Sequence, residues 1–148
     1  MSVKNMEIVK ICNYTAAATD ETTDCTIVDM QGFDEVTFIL ALGTVTNTAV
    51  VTFQIGQFTA STSASMVVSA ATSGAITSDG TTIALSNKCL AITVRNPVYR
   101  YLEAQVVKAT ANVVIDSVIA IKSKGSKLPI TQGSTVHGVY EFASPAAA

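Results

Sequence analysis

The sequence predicts an all-β protein: a single-domain antiparallel β-sandwich or jelly-roll-like fold with an extended C-terminal arm. Three observations lead to this prediction. Apolar and polar residues alternate with the period of two expected for half-buried strands. The alternating segments recur at a spacing of roughly 8–12 residues, as in sandwiches and jelly rolls. Hydrophobic residues make up 49% of the chain and charged residues only 14%, and the abundant Thr and Val favour strands.

The clearest alternation lies in two neighbouring segments, residues 34–42 and 51–55. The apolar residues that share one side of these segments are Val36, Phe38, Leu40, Leu42, Val51, Phe53 and Ile55. A turn at residues 43–48 joins the segments, so the sequence predicts that they pair as a β-hairpin.

Shorter alternating or apolar stretches predict six more strands. They are Glu7–Cys12, Cys25–Met30, Thr81–Leu85, Cys89–Arg95, Val98–Lys108 and Asn112–Lys122. The three residues 109–111 between the last two predict a second hairpin. The Ser-, Thr- and Ala-rich stretch 59–80 predicts a long loop with a short strand or helical turn inside it.

We place the sandwich in residues 1–122 and the extended arm in residues 123–148. The arm contains Gly and Pro but keeps large apolar side chains, which disordered tails seldom do. These are Leu128, Ile130, Val136, Val139, Tyr140 and Phe142. The arm is therefore expected to dock, either on its own domain or on a neighbour.

Motifs for catalysis or cofactor binding are missing from the sequence. His137 is the only histidine, so neither a nucleophile triad nor a zinc site can be assembled from the usual ligands, and no Gly-rich phosphate loop is present. Asp20, Glu21 and Asp24 lack the ligand pattern of a calcium loop, and a solvated acidic turn is the favoured interpretation. We therefore expect a protein that is not an enzyme, with no cofactor and no metal.

The cysteines and the N-terminus predict where the chain is made. Cys12, Cys25 and Cys89 form no CxxC motif, and each adjoins an apolar segment. They are expected to be reduced, buried thiols. The N-terminus lacks the apolar core of a secretory signal, and the apolar runs fall far short of the ~20 residues that span a bilayer. These features predict synthesis in the cytoplasm and no membrane partner.

Charge is divided unevenly along the chain. No Lys or Arg occurs between Lys10 and Lys88, whereas basic residues outnumber acidic ones from Arg95 onward. This division fits either head-to-tail association or neutralisation within one fold, and the second is favoured. The basic cluster 122–127 is short and has no interleaved aromatic residue, so nucleic-acid binding is not expected.

Two parts of the chain carry a recognisable pattern. The first is residues 32–43 followed by 50–55, beginning Gly32-Phe33-Asp34-Glu35-Val36-Thr37-Phe38. The second is residues 87–92, then Tyr99-Arg100-Tyr101-Leu102 and the strand 113–121. Together they resemble small capsid decoration, or cement, proteins of tailed bacteriophages, over roughly residues 30–122.

This resemblance implies a virion structural protein that binds the outer surface of the phage head and stabilises the shell. The expected partners are the major capsid protein and further copies of the chain, as a homodimer or homotrimer, on the capsid surface after synthesis in the host cytoplasm. Two other functions stay open: another phage structural component, such as a tail or head–tail connector protein, and, less favoured, a host-surface carbohydrate-binding module.

The candidate contact residues lie in two places. Tyr99, Arg100 and Tyr101 mix aromatic and cationic groups, which are enriched at interface hot spots. Core packing explains the tyrosines equally well. The other candidates belong to the arm and its base: Lys122, Lys124, Lys127, Leu128, Ile130, Tyr140 and Phe142.

Overall fold

Alternation of buried and outward-facing side chains builds the long strands of this protein. The computed structural model describes residues 2–61 and 68–144. Their strands are β1 Glu7–Cys12, β2 Thr15–Ala18, β3 Glu21–Asp24, β4 Val28–Asp29, β5 Phe33–Val45, β6 Val50–Phe58, β7 Val68–Thr77, β8 Cys89–Arg95, β9 Tyr101–Ala109 and β10 Val113–Gly125. A short 3-10 turn, Val3–Asn5, precedes β1.

The strands form two antiparallel sheets that pack together as one sandwich. The first sheet has the order β1-β10-β5-β8, and β2 also pairs with β10. The second sheet has the order β3-β9-β6-β7, and β4 also pairs with β9. The all-β sandwich prediction is confirmed.

The strand pairs are nested along the chain. β6 pairs with β7, β5 with β8, β3 and β4 with β9, and β1 with β10. A long two-stranded ribbon rolled into two sheets gives this order, which is the jelly-roll arrangement.

One apolar core fills the space between the sheets. The first sheet contributes Phe38 and Leu40, and the second contributes Phe53 and Ile55, all 0% exposed. These are inner-face residues of the two segments with the clearest alternation in the sequence. The period of two therefore predicted correctly which sides of β5 and β6 are buried.

Both predicted hairpins are wrong, although all four of their strands exist. β5 lies in the first sheet and β6 in the second, so residues 46–49 cross between sheets. β9 and β10 are likewise in different sheets. Each strand has one apolar face, and two such faces can meet across a core ~10 Å thick as well as side by side. Alternation does not distinguish the two arrangements.

Other differences concern segments of weak pattern. Residues 81–85 form a turn instead of a strand, because Asp79 Oδ1 accepts hydrogen bonds from the N–H groups of Thr81 and Ile83. The expected acidic turn is largely strand β3, which pairs with β9. Within 25–30 only Val28–Asp29 is strand. The expected loop 59–80 contains the ten-residue strand β7, and Met66 and Val67 lie outside the described residues.

The three cysteines differ in exposure. Cys25 is buried, Cys12 is partly buried and Cys89 is exposed. The prediction of burial is wrong for Cys89, because β8 is the outer strand of its sheet and Cys89 begins it.

The arm begins later than the predicted boundary at residue 122, because β10 continues to Gly125. Ser123 pairs with Glu35, and Gly125 with Phe33, on β5. Gly125 also allows the arm to turn back closely: a side chain there would lie 2.7 Å from Ile130 Cδ1. Within residues 2–61 and 68–144, no helix is long and apolar enough to cross a membrane.

Candidate interaction surface

One end of the sandwich gathers most of the features that the sequence analysis singled out. β10 ends there, β5 and β9 begin there, and the loops 30–32 and 96–100 and the start of the arm at 126–130 lie beside one another. We call this part of the molecule the arm end. The opposite end, formed by residues 13–20, 46–49, 78–88 and 110–112, is called the far end.

Arg100 joins the loop 96–100 to the turn before β5. Its Nε and Nη2 atoms donate to Asp29 Oδ1 and Oδ2, both at 2.7 Å, and Nη2 also donates to Gln31 Oε1 at 2.5 Å. The bonds from Arg100 lower the pKa of Asp29, and the same pair raises the pKa of Arg100. The guanidinium carbon lies 5.1 Å from the centre of the Tyr101 ring. Arg100 is therefore held in one position while its side chain stays 47% exposed.

Lys122 is used inside the fold. Its Nζ lies 2.9 Å from Glu7 Oε2, donates to the Asp29 carbonyl at 3.0 Å and sits 4.7 Å from the centre of the Phe33 ring. The side chain is 9% exposed. Its ammonium group joins β1 and the end of β4 to β10.

The other basic side chains at the arm end face outward. Lys124 and Arg95 share one carboxylate, Glu35, at 3.0 and 3.4 Å, and are 66% and 75% exposed. Lys127 is exposed at the start of the arm. Two cations on one carboxylate leave positive charge at the surface.

The arm lies along the outer edge of β1 and then returns. Ile130 N–H donates to the Lys4 carbonyl at 2.9 Å, and the Gln132 side chain bonds both Ile8 N–H, at 2.9 Å, and the Met6 carbonyl, at 2.5 Å. Thr135 Oγ1 accepts from Lys10 N–H at 3.2 Å. Between the two docking sites left open by the sequence, this structure places the arm on its own domain.

The end of the described arm comes back to the N-terminus. Ser2 Oγ donates to Glu141 Oε1, and this bond lowers the pKa of Glu141. Tyr140 and Phe142, on either side of Glu141, are 70% and 87% exposed. The contact with Ser2 therefore presents two aromatic rings to solvent at the arm end.

Two open clefts flank the loop 30–34. One, of about 380 Å³, is bounded by this loop and by residues 96–100. The other, of about 410 Å³, is bounded by Glu7, by Gln31–Phe33 and by the arm at residues 126–131. Gln31 and Phe33 belong to both clefts. The two clefts therefore adjoin at these two residues.

Large exposed apolar side chains are concentrated here. Val98 is 82% exposed and Leu128 57%, and Tyr140 and Phe142 add two more exposed apolar side chains to the arm end. The far end has Tyr14 and Ile83, 66% and 43% exposed. Exposed apolar groups that cluster mark contact sites more often than single ones do.

The structure brings the predicted contact residues together but gives them different roles. Tyr99 and Arg100 line the first cleft, and Tyr101 follows them at the start of β9. Lys127 lines the second cleft, and Lys124, Leu128, Tyr140 and Phe142 are exposed. Ile130 is partly buried against Gly125 and belongs to the packing of the arm. Val98, which is 82% exposed, was missed, because a single Val beside Pro97 forms no recognisable pattern in the sequence.

The described residues hold no group of three or more His, Cys, Asp or Glu side chains that could bind a metal ion. Asp20, from the acidic segment, instead accepts a hydrogen bond from Thr110 N–H at 3.2 Å. His137 is exposed on the arm. The arrangement at the arm end, with apolar groups, cations and amide side chains around a groove, is suited to contact with another macromolecule.

Comparisons with known proteins place the fold. No family model and no curated protein matches the sequence. The crystal structure of the PBSX exported protein XepA is similar with a TM-score of 0.52 at 13% identity, over 97% of this chain and 46% of that one. A chain of the Bacillus endospore appendages, a family of disulfide-linked pili, gives a TM-score of 0.45 at 14% identity, over 82% of this chain and 90% of that one. This chain spans about half the length of XepA, and the likeness is one of fold.

Proposed function

We propose that this chain is a virion structural protein that decorates the outer surface of a tailed-phage head and stabilises the shell. The observation that carries the proposal is the gathering at the arm end of exposed apolar side chains, outward-facing cations and a groove. The sequence resemblance to cement proteins supplies the partner class, and the XepA-like sandwich is compatible with it.

The contact we propose is end-on, between the arm end and the major capsid protein. Val98, Leu128 and Phe142 would supply the apolar centre, since interface cores are apolar and poor in charge. Lys124 and Lys127 would surround it and face acidic capsid groups, which affects the association rate and salt dependence more than the final affinity. Many copies on one shell add avidity to a weak single contact.

Co-sedimentation with expanded heads that lack the protein tests this function. The full chain is expected to bind saturably, in proportion to the capsid lattice, and to raise the temperature at which the heads release DNA. The double substitution Val98→Ser and Phe142→Ser is expected to weaken binding at least about tenfold, because two exposed anchors are lost. Ile83→Ser, the same kind of change at the far end, is the matched control and should bind like the wild type.

Three outcomes would overturn the proposal in whole or in part. Failure of the wild type to bind heads, or equal stability of heads without it, rejects the decoration function. Copy numbers per virion that match a single ring indicate a tail or connector component instead. Equal weakening by Ile83→Ser and the double substitution rejects the arm end as the contact surface.

A further inference from the structure

The two sheets are tied together at one edge by a short backbone contact between residues 11–12 and 25–26. Thr26 N–H donates to the Ile11 carbonyl at 2.9 Å, and Cys25 N–H donates to the Ala104 carbonyl of β9 at 2.9 Å. Ile11 belongs to the first sheet, and Ala104 to the second. Residues 25–26 therefore bridge the edge strand β1 to the second sheet.

The bond between Thr26 and Ile11 brings the adjoining residues Cys12 and Cys25 near each other. β1 runs toward the far end and residues 21–28 run away from it, so the two segments are antiparallel. Because Ile11 and Thr26 are bonded and the segments are antiparallel, the residue after Ile11 and the residue before Thr26 are neighbours across the bridge. Disulfides join residues whose Cα atoms lie about 4.4–6.8 Å apart, a separation that neighbouring antiparallel segments provide.

The side chains meet as well as the backbones. Burial raises the pKa of the Cys25 thiol, and the neighbouring Cys12 thiol raises it further. Cys25 is 5% exposed. Cys12 is partly exposed and lies 3.4 Å from the Asn13 carbonyl and 3.9 Å from Thr15 Oγ1. One thiol of the pair is thus reachable from solvent, and the other lies behind it.

We propose that Cys12 and Cys25 are a dithiol that closes into an intramolecular disulfide when the folded chain meets a small disulfide oxidant. The Cys12 thiolate attacks oxidised glutathione, which forms a mixed disulfide and releases one glutathione thiolate. Cys25 then loses its proton to solvent and attacks the Cys12 sulfur, which releases the second glutathione. Two protein thiols are oxidised, and one molecule of oxidised glutathione is reduced to two of glutathione.

The bond would close the loop 12–25 and join β1 covalently to the chain that enters the second sheet. It would form after folding, because the native backbone brings the sulfurs together. Cys89 takes no part, since it begins β8 at the other edge of the first sheet. A protein made in a reducing compartment and later exposed to an oxidising one would form this disulfide bond without any change of fold.

Intact mass and peptide mapping test the proposal on the full folded chain. After treatment with oxidised glutathione, Cys89→Ser is expected to lose the mass of two hydrogens, carry no glutathione and yield a peptide pair linked through residues 12 and 25. Cys12→Ser/Cys89→Ser and Cys25→Ser/Cys89→Ser are the matched controls and cannot form the bond. The Tm of oxidised Cys89→Ser should rise by roughly 6–10 °C and return on reduction, with no such rise in either control.

Peptide mapping of the oxidised wild type gives the same answer without any substitution. Closure of the disulfide only in denaturant overturns the proposal. So does a stable glutathione adduct on Cys12 beside a free Cys25, or a link between chains. This experiment does not involve head binding, so a failure of the disulfide proposal can be distinguished from a failure of the proposed function.

Discussion

Lys122 is a predicted surface contact residue in the sequence but a largely buried, paired residue in the structure. In the sequence it opens a basic cluster at the base of the arm. In the structure its ammonium group is paired with Glu7 and bonded to the Asp29 carbonyl. An ammonium group can be buried only when such partners compensate for lost hydration, so its removal leaves Glu7 without its cation.

Lys122→Met is expected to lower the free energy of unfolding by about 2–3 kcal/mol, because breaking a largely buried pair leaves one charge unpaired. Urea unfolding at neutral pH measures the change. Lys127→Met, an exposed lysine close by, should change the free energy by no more than about 0.5 kcal/mol. The double substitution Lys122→Met/Glu7→Leu should recover most of the loss, and equal losses in all three variants would contradict this account.

The Asp29–Arg100 pair predicts a pH dependence of stability. Folding lowers the pKa of Asp29, so the unfolded chain binds this proton more readily, and the contribution of the pair is complete above the unfolded pKa of about 3.9. It is lost as the pH falls through the lower folded pKa. Because the Asp29 side chain is 44% exposed, solvent screening keeps the effect small.

Comparison of the wild type with Arg100→Gln isolates this effect. The difference in urea midpoint between them should be largest at neutral pH and shrink below about pH 4. The part of this difference in urea midpoint that comes from the bond between Arg100 and Gln31 should remain at every pH. A difference that does not change between neutral pH and acid would show that Asp29 titrates alike in both states.

At the scale of elements, the arm covers part of the open edge of the first sheet. β1 is an edge strand, and unpaired backbone groups at an edge invite pairing with other chains. The arm satisfies Ile8 and Lys10 N–H groups through the side chains of Gln132 and Thr135. The arm therefore protects the edge without adding a strand to the sheet.

Gln132→Ala tests this role. The Ile8 amide is expected to exchange with solvent roughly fivefold faster, since a hydrogen bond contributes about 1 kcal/mol. Amide hydrogen exchange with residue resolution measures it. Ser134→Ala, an exposed polar residue in the same segment, is the control and should leave exchange unchanged. Equal exchange at Ile8 in both variants would mean that the arm does not protect the edge.

At the scale of the whole molecule, the core makes the two sheets one cooperative unit. Phe53 of the second sheet is fully buried in the same cluster as Phe38 of the first. Each sheet has one apolar face that only the other sheet covers. The nested strand pairs join residues far apart in the chain, and such topologies fold slowly, on a timescale of about milliseconds to seconds.

Phe53→Ala is expected to cost about 3–5 kcal/mol, because a large cavity opens between the sheets. Circular dichroism and tyrosine fluorescence should report one coincident unfolding transition, in the variant as in the wild type. Ile83→Ala, at an exposed residue of the far end, should cost under about 1 kcal/mol. Separate transitions for the two probes would show that the sheets unfold independently.

The candidate surface was predictable only in part. Tyr99–Tyr101 and the arm residues carry recognisable chemistry, and the structure places them at one end. Glu7 and Gln31 gave no signal, because they matter through neighbours that are distant in sequence, and Phe33 stood out only as part of the pattern shared with cement proteins. Lys122 and Ile130 were predicted as contact residues although the fold uses them internally, since sequence shows residue type but not exposure.

The sequence by itself determined the all-β class, the inner faces of β5 and β6 and the presence of a docking arm. These are local properties, since alternation with a period of two depends on neighbours along one strand. Only the tertiary structure decided which strands pair, that 46–49 and 110–112 cross between sheets, that the arm lies on β1 and that Cys12 lies near Cys25. Apolar faces fit many partners, and only the packing of all strands around one core selects among them.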